Sequence, residues 1–93
     1  MASSLKTARF LIDSKLRDAA RGDANACFDL GMVFSAGAEG ADVDLVAAHK
    51  WFNIAAAQGD RMAARHREEV ASEMSREDIA AALKAAREYL SRH

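Results

Sequence analysis

Apolar side chains recur along this chain at intervals of three and four, the spacing that stacks them on one face of an α-helix. Over residues 4–21 the series is Leu5, Ala8, Ile12, Leu16 and Ala19, and Gly22-Asp23 closes it. A second run from Ala24 to Ala36 carries Leu30, Phe34 and the small Gly31 on one stripe. Gly37 to Gly40 should end it, because glycine best tolerates the left-handed turn that follows a helix. Asp44 suits the N-cap of a third helix reaching Gln58, with Leu45, Ala48, Trp51, Phe52, Ala55 and Ala56 turned inward. Gly59-Asp60 repeats the stop and the cap. The fourth helix, Arg61 to Glu73, is mostly charged, so its core contact must rest on Met62, Ala63, Val70 and Met74. Ser75 to Asp78 resembles a capping box with Asp in place of Glu or Gln, and opens a fifth helix along Ile79, Leu83, Ala86 and Leu90. Five short helices with tight connections predict an all-α fold of antiparallel neighbours.

Composition sharpens this picture. The 93 residues suffice for one domain with a modest core. Apolar residues make up 51% of the chain, but much of that share is alanine, and with no proline and five glycines the balance is that of helices. Thirteen basic and fourteen acidic residues are interspersed and leave a net charge of -1, which gives no support to a nucleic-acid partner. Cys27 is the only cysteine, so no intrachain disulfide forms, in keeping with a reducing compartment. No stretch approaches the ~18 apolar residues of a membrane span, and Phe10-Leu11-Ile12 is too short for a signal-peptide core. A cytoplasmic location without a membrane partner is expected.

An internal repeat decides more than any single helix. Arg21-Gly22-Asp23-Ala24-Asn25-Ala26 aligns with Gln58-Gly59-Asp60-Arg61-Met62-Ala63 at a shift of 37 residues, a period typical of helical solenoids. The fixed positions Ala26, Leu30, Gly31, Phe34, Gly37, Gly40, Asp44, Ala48, Trp51, Ala55, Ala56, Gly59 and Ala63 then resemble the Sel-one-like repeat. That family is related to the tetratricopeptide repeat, and the chain looks like a short, bacterial-type example of it. Phe34 stands where the family has Tyr, and Ala38-Glu39 lengthens the loop by one residue. The resemblance implies a short right-handed α-α superhelix of about five helices. In this reading residues 1–21 form an N-terminal capping helix, 22–58 one complete repeat, and 59–93 a partial repeat with a C-terminal capping helix, all in one domain. Ser14 and Lys15 align with Trp51 and Phe52, while Arg67, Glu68 and Ala71 align with Leu30, Gly31 and Phe34, so neither flank accepts another copy in the same way. Independently of the family, Gly31, Ala48 and Ala55 leave room for a neighbouring helix and Trp51 supplies bulk.

The resemblance also implies a concave surface lined by the first helix of each pair. It would carry Asn25, Phe28, Met32 and Ser35, followed by Met62, Arg65, Glu69 and Ser72, with Phe28, Met32 and Met62 as adaptable anchors and Arg65 and Glu69 as polar selectors. The competing reading makes Phe28 and both methionines core residues. His49 and His66 lack the close spacing of a metal site and read as solvated, and His93 as terminal. Gly37-Ala38-Glu39-Gly40 has neither the preceding strand nor the Lys-Ser or Lys-Thr of a phosphate loop. Cys27 reads as packing, and Arg65 with Glu69 as a surface pair one turn apart. No catalytic residue, metal ligand or cofactor is therefore expected. The function expected is non-enzymatic binding of a protein or peptide. The alternative is a structural role, with Leu5, Ile12, Leu83 and Leu90 on the end helices meeting a second copy as a homodimer.

Overall fold

The computed structural model describes residues 2–92, with side chains described from residue 9 onward except that of Glu39. The expectations placed on Leu5, Ala8 and His93 lie outside what is described. The described residues form five α-helices and no strand: α1 (Ala2–Ala20), α2 (Ala24–Ala36), α3 (Leu45–Ala57), α4 (Arg61–Ala71) and α5 (Arg76–Arg92), with a short 3-10 turn at Ala38–Gly40. The fourth helix thus stops two residues before Glu73.

Local chemistry sets these boundaries. Asp23 Oδ1 accepts from the amides of Asn25 at 2.9 Å and Ala26 at 3.3 Å. Asp44 Oδ1 accepts from Ala47 N–H at 3.0 Å and Asp60 Oδ1 from Ala63 N–H at 3.1 Å, so the stop-and-cap pattern in the sequence is a set of real N-caps. Each such cap contributes ~1 kcal/mol by satisfying amides that the first helical turn leaves unpaired. Ser75 Oγ does the same for Asp78 N–H at 3.1 Å. At the end of α2, Gly37 takes φ 66°, and its amide donates to the Val33 carbonyl.

The connections fold the chain back on itself. Asp44 N–H donates to the Phe34 carbonyl at 2.9 Å beside the connection, while Phe28, earlier in α2, meets Phe52, later in α3. These two helices therefore run antiparallel. Asp60 N–H donates to the Ala55 carbonyl at 3.1 Å beside the next turn, while His66, later in α4, stacks on Phe52, earlier in α3, so α4 runs antiparallel to α3 as well. The pair α4 and α5 is different, because α5 packs chiefly on α3 and touches α4 only slightly. Where α2 offers Leu30, Gly31 and Phe34 to its partner, α4 has Arg67, Glu68 and Ala71 at the repeat-equivalent positions. Without that apolar face, α4 cannot pair with α5 as α2 pairs with α3.

Four consecutive residues of α3 hold the arrangement together. The Trp51 ring meets Tyr89 of α5 edge-on at 5.0 Å, and Phe52 meets both Phe28 of α2 and His66 of α4. Asn53 Oδ1 accepts from the Arg67 guanidinium at 2.7 Å, and Lys50 lies over Trp51. Leu30, Ala48, Phe52, Ile54, Ala55, Ala63 and Ala86 are fully buried around this centre. Gly31 is needed because α2 and α3 approach so closely: a Cβ there would lie 2.5 Å from the Phe52 ring.

Several inward assignments change. Met62 is 51% exposed and gives α4 no core contact, which Ala63, Val70 and half-buried Met74 supply instead. On α5 the buried residues are Ala82 and Ala86, with Tyr89 against Trp51, while Leu83 and Leu90 stay exposed. The bulk of Trp51 is met by Tyr89, the one aromatic ring on α5. Leu16 is also exposed, whereas Ile12 and Ala19 on α1 do pack inward. Lys15, which takes a Trp51 or Phe52 position in the repeat alignment, instead pairs with Asp29 of α2 at 3.3 Å.

Candidate interaction surface

Both α2 and α4 run antiparallel to α3, so they share the same sense. They touch through Phe28 and His66, whose rings meet edge-on at 5.3 Å, and both rings rest on Phe52. His66 and Phe52 are nearly parallel, 19° apart at 5.3 Å. This aromatic trio forms the floor between the two helices.

The candidate residues fall on and around that floor. Asn25, Met32, Met62, Arg65 and Glu69 are exposed, and Phe28 and Ser35 are half-buried. Met32 follows Phe28 by one helical turn and Met62 precedes His66 by one turn, so each thioether flanks the ring of its own helix. The two methionines are 38% and 51% exposed, which settles that neither is a core residue. Phe28 is half-buried and packs edge-on against Phe52. Ser35 Oγ donates to the Met32 carbonyl at 3.2 Å, so its hydroxyl is engaged with its own helix; Ser72 Oγ does likewise with Glu69 O at 2.6 Å.

Both histidines depart from the solvated surface expected of them. His66 is the floor residue described above, and its Nδ1 lies 3.7 Å from Glu69. His49 is only 3% exposed, and its Nδ1 is buried without a hydrogen-bond partner. Burial, with the nearby Arg67 guanidinium second, lowers its pKa from 6.5, partly opposed by Glu68. Burial thus favours the neutral imidazole over the charged one. Glu69 therefore meets His66 rather than Arg65, and Glu68 meets Arg67 at 3.3 Å. His66 was missed because its neighbours in sequence are charged. The repeat alignment pairs it with Asp29, and only the helix–helix geometry puts it on Phe52.

Cys27 is fully buried, and burial followed by the Asp23 carboxylate raises its thiol pKa to about 11. A protonated, enclosed thiol is a packing group rather than a nucleophile. Among the described residues no three His, Cys, Asp or Glu side chains converge as a metal site, and no helix is long and apolar enough to cross a membrane.

Compared with known proteins, the chain matches no family model, no curated protein and no solved structure. The likeness to Sel-one-like repeats therefore rests on the motif residues themselves.

Proposed function

We propose that this protein is a short Sel-one-like repeat array of the right-handed α-α superhelix type, acting in the cytoplasm as a non-enzymatic module that binds a partner protein or peptide across α2 and α4. The observation that carries the reading is the pair of exposed methionines, Met32 and Met62, flanking the Phe28–His66 contact. Thioethers adapt to varied apolar side chains, and a floor of three mutually packed rings gives them a rigid base. Arg65 and Glu69 at the rim would select partners by charge. Affinity capture from a native lysate tests this with the wild type and the Met32→Asp/Met62→Asp variant, whose substitutions lie at exposed positions. A partner lost in the double variant supports the surface; one retained in full counts against it.

A second reading, self-association, is favoured by Leu83 and Leu90, which lie seven residues apart on one side of α5 and are 36% and 38% exposed. Ile12 cannot serve it in the way proposed from sequence, because it packs into the core. Light scattering of the purified chain separates the readings, a dimer that Leu83→Glu dissolves favouring the second.

A further inference from the structure

The junction of α3 and α5 contains a second feature, built from residues that take no part in the α2–α4 surface. Lys50 Nζ stands 4.6 Å from the centroid of the Trp51 ring and 5.5 Å from that of Tyr89. The two rings meet edge-on at 5.0 Å and form a fixed corner beneath the ammonium. Arg92 follows Tyr89 by three residues on α5, which places it on the same side of that helix. The ion pairs among the described residues are Lys15–Asp29, Arg21–Asp18, His66–Glu69 and Arg67–Glu68, so within that set neither Lys50 nor Arg92 has a carboxylate partner. Glu88, one turn before Arg92, makes no such pair either.

Two positive groups thus lie near one corner with no counter-ion among the described residues, and one of them, Lys50, is half-buried. The ring faces offset part of the desolvation of Lys50. They do nothing for the repulsion from Arg92, which together with the larger effect of burial lowers the Lys50 pKa. A methionine would cover the same rings without either cost. What the described residues do not supply there is a negative group that a point charge and a planar guanidinium fork could hold together. We propose that Lys50 and Arg92, set over the Trp51–Tyr89 corner, form a binding site for an oxyanion, either a carboxylate on an acidic peptide segment or free phosphate.

Trp51 is the only tryptophan, so its fluorescence reports directly on the group above it. The full chain is titrated with an oligoglutamate peptide and, separately, with inorganic phosphate, with sodium chloride holding ionic strength constant. A saturable change in Trp51 emission is expected, weakened about tenfold in Lys50→Met and in Arg92→Gln. Saturation should also raise the Lys50 pKa followed by NMR. Lys50→Met keeps the stem over the rings, and Arg92→Gln alters an exposed side chain near the helix end, so the second variant remains readable if the first perturbs packing. A response to the peptide alone assigns the site to a partner's acidic segment, and one to phosphate alone assigns it to the free ion. Met32→Asp should leave the titration unchanged, which separates this site from the α2–α4 surface. Absence of a saturable response to either probe, or one unaffected by both substitutions, would overturn the proposal.

Discussion

Replacing Gly31 with alanine sets two opposing effects against each other, and the geometry decides between them. In an exposed helix interior Gly→Ala is stabilising by ~1 kcal/mol, because alanine loses less backbone freedom on folding. At Gly31 the new Cβ would stand 2.5 Å from Phe52 Cδ1 and Cε1 and 2.8 Å from Cζ. The ring has little freedom to yield, since Phe52 is fully buried, faces His66 on one side and meets Phe28 edge-on. Overpacking of this kind costs ~1–3 kcal/mol, and contact with three carbons of a confined ring argues for the upper half of that range. The net expectation is a loss of about 1–2 kcal/mol, or a fall in Tm of about 5–15 °C for a domain of this size. Thermal melts by circular dichroism measure it, with Ala80→Gly at an exposed position of α5 calibrating the propensity effect. A Tm equal to or above that of the wild type would show that helix propensity wins and that α2 and α3 are not in the close contact described.

Other consequences follow from the same packing. Trp51→Ala removes the ring that meets Tyr89 and should cost about 3–5 kcal/mol, unfolding most of the protein at moderate temperature; a thermal melt with only a slight shift would contradict it. His49 makes stability depend on pH: its folded pKa lies below the unfolded value of 6.5, so the unfolded chain takes up the proton first. Stability is then complete above pH ~6.5 and falls as pH drops toward the folded pKa, and melts from about pH 8 to pH 5 should show a decline that His49→Met reduces. Cys27, with its thiol raised to about 11, should resist alkylation by iodoacetamide in the native protein and react only on unfolding; rapid native labelling would refute its enclosure.

The helices were legible because their punctuation is chemical and local. Asp23, Asp44 and Asp60 each cap the helix they precede, and Gly37 takes the left-handed turn its position suggested. Leu30, Gly31, Ala48, Trp51 and Ala55, fixed positions of the repeat pattern, are all buried. What the sequence could not supply was the direction in which α4 and α5 turn. Periodicity puts Leu83 and Leu90 on an apolar stripe, yet that stripe is broad, and Tyr89 meeting Trp51 rotates α5 so that Ala82 and Ala86 go in.

The candidate surface divides in a similar way. Met32 and Met62 emerge at the surface because the buried positions of their helices are held by Ala26, Cys27, Leu30, Gly31 and Val33 on α2 and by Ala63 and Val70 on α4. His66 was hidden because a histidine between Arg65 and Arg67 looks solvated, and its stacking on Phe52 depends on contacts across helices that no local pattern encodes. His49 was hidden for the opposite reason: a polar residue in a helix is usually exposed, but α3 is covered by α2, α4 and α5.

The proposed binding face exists only if Phe28, Phe52 and His66 hold α2 and α4 onto α3. Two-dimensional NMR of the wild-type chain tests it directly through nuclear Overhauser effects among the three rings. Cross-peaks from His66 to both phenylalanines, with its ring protons shifted by the Phe52 face, are the predicted result. A His66 ring with random-coil shifts and no cross-peak to Phe28 or Phe52 would contradict the account.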